Sequence, residues 1–291
     1  MSISTLLLEA MSKVTLEIVP RSAFREYLTR VQRWACMVVH RRGGKTFCCI
    51  QDLLKCCLTH KRTGPALRYA YIAPTRDQAK DIAWAYVKDF FGKVPGVKIN
   101  EADLMVSIPG KWGLRLYSGE NYERMRGLYF DGVVIDEPAD IDPAAWTMVI
   151  RPCLSDYNGW ATFIGTSKGR NHFWKRWKRV VDDPEWFTLI LKASESGILP
   201  DDELESLKAE MEGPAYQQEY ECDFSIARPG AIYATDIEKA INARRISDDV
   251  MWFKELPVYT SFDVGAPLNQ KCWIWQLWRS DQLSRSAVWL G

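Results

Sequence analysis

The sequence predicts an α/β fold built on a mainly parallel sheet flanked by helices. Three observations carry that prediction. Strand-like apolar runs alternate twice with segments of helical periodicity. The first run, Trp34 to Val39, enters a short basic Gly-rich loop that opens a helix. A later run, Phe130 to Ile135, ends in two adjacent acids, Asp136 and Glu137, and in parallel sheets ligands collect at the carboxyl ends of strands.

Composition sets the bounds. The 291 residues suit one large or two medium domains, and 47% hydrophobic residues are enough for a real core. A net charge of +1 gives no global signature of a polyanion partner, so any such contact needs local basic patches. The eight cysteines form no Cys-x-x-Cys knuckle and read as small packing residues in a reduced, cytosolic protein. The run Leu6-Leu7-Leu8 is far too short to span a membrane, and no secretory leader is evident.

Taken in order, Ser22 to Trp34 has helical spacing, with Phe24, Tyr27, Leu28 and Val31 on one face and Ser22 as a cap. It is either a packing helix or a neighbour of a nucleotide base. The loop is His40-Arg41-Arg42-Gly43-Gly44-Lys45-Thr46. Backbone amides at a helix start, together with the helix dipole, favour an anion there. Gly43 and Gly44 let the backbone approach a phosphate, Lys45 would reach the terminal phosphates of ATP, and the Thr46 hydroxyl would ligate Mg2+. The loop departs from the full P-loop pattern in two ways. Val39 stands where a first glycine is expected, and two arginines lie inside the loop.

The helix from about Lys45 to His60 presents Phe47, Ile50, Leu53, Leu54, Cys57 and Leu58 to the sheet, and Lys61 to Pro65 ends it. A strand at Arg68–Ala73 and a helix at about Arg76–Phe91 follow, with Ala79, Ile82, Ala83, Tyr86 and Val87 facing inward. Leu104–Ile108 and Trp112–Tyr117 read as a small hairpin or as strands joining the sheet edge. Asp136 would hold the magnesium through a water, and Glu137 would polarise the attacking water. These acids lie roughly ninety residues after the P-loop. Arg124 or Arg126 would stabilise a phosphate or touch DNA, unless the loop is simply solvated.

Beyond a short helical stretch at Pro143–Ile150, the run Trp160–Ser167 reads as a further strand. Thr166 and Ser167 at its end are placed to sense whether a γ-phosphate is present. Lys168 to Arg179 interleaves basic and aromatic residues. That composition suits nucleic-acid contact, or a helix with its aromatics in the core and its lysines in water.

The ordered set Arg41-Arg42-Gly43-Gly44-Lys45-Thr46, Ala73-Pro74-Thr75 with Gln78, Arg126-Gly127, Val134-Ile135-Asp136-Glu137 and Ile164-Gly165-Thr166 resembles the large terminase subunit of tailed bacteriophages. The resemblance covers about residues 20–280. It implies a P-loop NTPase core followed by the first strands of an RNase H-like nuclease. The implied extents are 1–195 for the motor, 196–230 for a lid and linker, and 231–291 for an incomplete nuclease domain. It implies an ATP-driven motor that moves double-stranded DNA into a procapsid in the cytoplasm of the bacterial host. The implied partners are the small terminase subunit, the portal protein and further copies of the chain, with no membrane. Loss of the first glycine and an arginine near Arg41 or Arg42 are traits of the family. In some members that arginine acts as a finger, and in others one near Arg126 is given to a neighbouring subunit. Ser167 stands where many relatives have proline.

Val258–Gly265 resembles the first nuclease strand, with Asp263 matching a metal-binding carboxylate; Lys271–Trp278 and Leu283–Trp289 follow as further strands. A second divalent-metal site at Asp263 would form only with more carboxylates than these, so the expectation is a truncated form without nuclease activity. Two rival expectations are a helicase-like DNA-dependent ATPase, which should show a second motor core near Asp263, and a non-enzymatic prophage remnant that only binds DNA or partner subunits.

Overall fold

The sheet strands, in chain order, are β1 (Trp34–Val39), β2 (Leu67–Ala73), β3 (Lys98–Asn100), β4 (Met105–Ile108), β5 (Trp112–Ser118), β6 (Gly132–Asp136), β7 (Trp160–Gly165) and β8 (Trp186–Leu191). In the computed structural model they form one eight-stranded sheet in the order β3-β4-β5-β2-β6-β7-β1-β8. The six strands from β5 to β8 run parallel, while β3 and β4 are antiparallel and extend the β5 edge. The structure describes residues 20–225 without a break and, beyond them, residues 243, 254–255, 257 and three further strands. Other residues of the expected nuclease region, and the side chain of Asp263, lie outside the described residues.

Parallel strands covered on both faces read as continuous apolar runs. β1 obeys: Ala35 through Val39 are all buried. Its side chains alternate between two cores. Met37 and Val39 join the cluster under the P-loop helix, and Cys36 and Val38 join the cluster on the opposite face. β8 was not placed from the sequence, although Trp-Phe-Thr-Leu-Ile-Leu has strand composition; it pairs in parallel with β1 from Trp34↔Trp186 to Val39↔Leu191.

Three local expectations are corrected. The helix before β1 covers only Arg25–Thr29 after a 3-10 turn at Ser22–Phe24, Ser22 makes no side-chain cap, and Val31 is exposed. The chain leaves the helix early at Arg30, whose guanidinium donates to the Tyr27 carbonyl and pairs at 2.8 Å with buried Asp52 of the helix Lys45–Thr59. Within that helix Leu58 faces solvent. The segment 76–91 contains a π-helical stretch, Ala79–Trp84. A π turn adds a residue and rotates the helix phase. Trp84 and Phe91 are therefore buried, while Ile82 and Tyr86 are exposed.

The chain divides into two compact units, 1–229 and 230–291. In the second, β9 (Tyr259–Asp263), β10 (Lys271–Ser280) and β11 (Leu283–Leu290) form an antiparallel sheet in the order β11-β10-β9. Among the described residues no helix is long and apolar enough to cross a membrane.

Candidate nucleotide site

The strand order sets the chemistry of the site. The P-loop strand β1 and the acid-bearing strand β6 are not neighbours; β7 lies between them. The end of β7 therefore brings Thr166 between the loop and the acids.

Local backbone shapes the loop. Gly44 precedes the helix Lys45–Thr59 with φ 90°, a left-handed conformation that a side chain would strain. A Cβ on Gly43 would come within 2.6 Å of Val39 Cγ1. The valine at the missing-glycine position is thus accommodated by a glycine four residues later. The loop is also tied from outside. His40 N donates to Leu191 O at 3.0 Å, and Arg41 N donates to Glu219 O at 2.8 Å. His40 Nδ1 and Nε2 lie 2.7 Å from Arg41 O and 3.0 Å from Ser196 Oγ. Burial lowers the pKa of this imidazole, and the carbonyl contact only partly opposes it.

At the end of β6 the two acids are held differently. Asp136 is buried; its Oδ1 accepts from Glu137 N at 3.1 Å and its Oδ2 from the Tyr71 hydroxyl at 2.5 Å. The Thr46 side chain interacts with that same hydroxyl. Burial and then the Glu137 charge push the Asp136 carboxyl up to about 6, against Lys45. Glu137 takes a left-handed backbone, φ 47° and ψ 55°, a sparsely populated conformation for a non-glycine residue. This conformation accompanies a side chain that meets Lys45 Nζ at 2.9 Å and Lys168 Nζ at 3.3 Å. Thr166 donates to the same carboxylate from its N and its Oγ1, each at 3.3 Å. Burial would raise the Glu137 carboxyl, but the two lysines together hold it below its ordinary value. Gly165 makes the approach possible, since a Cβ there would lie 3.3 Å from Glu137 Oε2 and 3.1 Å from Pro138 Cδ.

These groups face a cavity of about 270 Å³ whose lining includes Arg41, Lys45, Gln78, Asp136, Glu137, Thr166 and Lys168. A larger cavity, about 690 Å³, lies over β2, β4 and β5; its lining includes Arg124 but neither the P-loop nor the strand-end acids. The donor set suits magnesium: one hydroxyl, Thr46, and one carboxylate, Asp136, leave positions for water and phosphate oxygens. Among the described residues no group of three or more His, Cys, Asp or Glu side chains could hold a metal unaided.

The site thus gathers Lys45, Asp136, Glu137, Thr166 and Arg41, with Thr46 reaching it through Tyr71. Arg41 is exposed and pairs with Glu219 at 3.6 Å. Arg42, with φ 64°, and Arg126 do not line the cavity; Arg126 is exposed and pairs with Glu123 at 2.7 Å. The basic run divides. Lys168 turns into the site, where it also pairs with Asp140. In the helix His172–Val180, capped by the Asn171 side chain, Phe173 is buried and the Arg176 guanidinium lies 3.9 Å over Phe163. Burial brings Arg176 down to about 10. Lys175, Lys178 and Arg179 remain exposed. Tyr71 is a site residue with no role in the sequence reading, whereas Gly165 enters that reading only as part of the Ile164-Gly165-Thr166 motif and Lys168 only as the start of the basic run.

A Gly-rich loop opening a helix, with strand-end carboxylates one strand away, defines a P-loop nucleoside-triphosphate core. Residues 37–240 match the family model described as terminase large subunit, T4likevirus-type, N-terminal. The chain belongs to the terminase large-subunit family. It is 25% identical over 210 residues to the terminase large subunit of Escherichia phage T5, a match covering 70% of this chain and 46% of that protein. The chain thus spans about half the length of that relative. Over 58 residues, 20% of this chain and 12% of its relative, it is 40% identical to the terminase large subunit of Thermus phage G20c. Among solved structures it is similar to the large terminase ATPase domain of Thermus phage P74-26, with TM-score 0.57 and 20% identity over 74% of this chain and 96% of that one. It is also similar to the large terminase of a thermophilic bacteriophage, with TM-score 0.58 and 16% identity over 93% of this chain and 66% of that one. These likenesses show the α/β fold of the first unit.

Proposed function

We propose that this chain is an ATP-hydrolysing motor subunit that drives double-stranded viral DNA into a procapsid. The observation that carries the reading is the Glu137 carboxylate, held at once by Lys45, Lys168 and Thr166 in the lining of one cavity beside the P-loop lysine. The first-turn amides and Gly43–Gly44 bind phosphate oxygens, and Lys45 leaves Glu137 to reach the terminal phosphates. Thr46 and Asp136 would hold magnesium, which would supply charge neutralisation at the phosphates. Glu137, kept ionised, orients the attacking water and accepts its hydrogen bond. Thr166 reports on the occupied site through the same carboxylate. Arg41, at the cavity rim, supports the reading of an arginine acting within its own subunit, while exposed Arg126 would serve a neighbouring copy in a ring. Family membership supports nucleotide use, as does the similar large terminase of a thermophilic bacteriophage solved in complex with ADP.

The motor would span about 1–195, with 196–230 as lid and linker. The second unit would be the start of an RNase H-like domain, with Asp263 as a metal-binding carboxylate. Its antiparallel β9–β11 sheet supports this over a second motor core. Small-subunit and portal partners, and work in the host cytoplasm, follow from the same reading. The test is ATP turnover with and without duplex DNA. Duplex-stimulated turnover that is lost in Glu137→Ala is expected; no turnover by the unaltered chain overturns the proposal.

A further inference from the structure

Tyr71 is a buried tyrosine that the reaction as described does not use. It lies in β2, paired in register with Val134 of β6, so its ring runs beneath the P-loop helix beside the acid strand. Its relative exposure is 1%. Its hydroxyl donates to Asp136 Oδ2 at 2.5 Å and also interacts with Thr46. It therefore bridges the two side chains that would share one cation, although they come from different elements. Neither residue reaches that arrangement by itself. Thr46 sits on a helix whose start is set by the glycine loop, and Asp136 sits at the end of a strand two places from β1.

We propose that Tyr71 is a positioning residue for the magnesium site. It holds the orientation of the Asp136 carboxylate relative to the Thr46 hydroxyl. The physical case has three parts. Magnesium tolerates little departure from octahedral geometry, so a ligand pair that drifts loses affinity steeply. With Oδ1 taken by Glu137 N and Oδ2 by Tyr71, the carboxylate cannot rotate about its terminal bond without breaking a hydrogen bond. The tyrosine ring is locked by burial in the main core, which makes it a rigid strut rather than a mobile donor.

Tyr69 supplies an internal control. It lies on the same strand and is equally buried, but its hydroxyl contacts Cys56 O at 3.3 Å and His60 Nδ1 at 2.9 Å, away from the acids. Deleting either hydroxyl removes one buried polar group from the core, and only one of the two faces the cation ligands.

The proposal rests on the reading of a magnesium–ATP site, and the experiment separates the two. Binding of a fluorescent ATP analogue to the full chain is titrated in EDTA and over a series of Mg2+ concentrations, for wild type, Tyr71→Phe and Tyr69→Phe. In Tyr71→Phe the half-saturating Mg2+ is expected to rise about tenfold or more, the loss typical of a removed outer-shell partner, with affinity in EDTA unchanged. Tyr69→Phe should titrate like wild type. Identical Mg2+ dependence in all three, or an equal shift in both variants, overturns the positioning role while leaving the site reading intact. A wild-type chain that binds no nucleotide overturns both.

Discussion

The Lys45–Glu137 ion pair competes with any phosphate that Lys45 would bind. Nζ and Oε1 are 2.9 Å apart, with the side chains only 16% and 21% exposed. A triphosphate must draw Lys45 away from that carboxylate. Glu137 keeps Lys168 and Thr166, so the loss is one charge-assisted hydrogen bond rather than a stranded ion. Hydrogen bonds to charged groups are worth about 1.5–3 kcal/mol. Glu137→Gln weakens this pair before the ligand arrives. Since 1.4 kcal/mol is about tenfold in affinity, the variant is expected to bind ATP roughly tenfold more tightly while hydrolysing it far more slowly. Removing negative charge near phosphates would itself help binding. Asp140→Asn is therefore the control, because Asp140 also lines the cavity and pairs with Lys168 but not with Lys45. Calorimetric Kd values for the three proteins decide the matter. Glu137→Gln binding no tighter than Asp140→Asn would refute the competition.

Gly165→Ala sets a Cβ 3.3 Å from Glu137 Oε2 and 3.4 Å from its Cα, so the carboxylate must shift by a few tenths of an ångström. Since misplacement by 1 Å costs about a hundredfold, kcat should fall about three- to tenfold with KM nearly unchanged; an unaltered kcat would show that the close approach is irrelevant to turnover. His40 gives a pH dependence. Its folded pKa lies below 6.5, so as pH falls the unfolded chain takes up the proton first. Its contribution to stability is full above 6.5, declines as pH drops through that value, and levels off below the depressed folded pKa. Thermal melts from pH 8 to 5 should show Tm falling more for wild type than for His40→Gln; parallel curves would contradict this.

Much of the fold was legible because its signals are local. Continuous apolar runs marked β1, β2, β6 and β7, and the glycines before Lys45 marked the helix start. The order of motifs along the chain then put Lys45, Asp136, Glu137 and Thr166 at one end of one sheet. What was hidden depends on neighbours distant in sequence. Tyr71 looks like one more apolar strand residue until β2 lies beside β6. Lys168 opens a run whose composition suits DNA contact, and only the turn after β7 aims it at Glu137. The phase error at Ile82 and Tyr86 arose because an α-helical period was assumed through a stretch that closes π turns. Nothing in the local sequence distinguishes Arg126 facing solvent from Arg126 facing phosphate.

The tie between the P-loop and the helix Gly213–Glu219 has a consequence for how freely this protein can change. Arg41 N meets Glu219 O, and the Ser167 hydroxyl meets Gln218 O, at 2.8 and 2.6 Å. Both acceptors are main-chain carbonyls. Any amino acid that keeps the helix supplies them, so mutation can alter every side chain on 213–219 and leave both links standing. On the donor side the two links differ: only proline at position 41 would remove the Arg41 amide, whereas the link after β7 needs the Ser167 hydroxyl and is lost where proline stands there. The Arg41 link is thus inherited with the backbone rather than with the residues, and it can persist through divergence that erases most side-chain identity, the Ser167 link included.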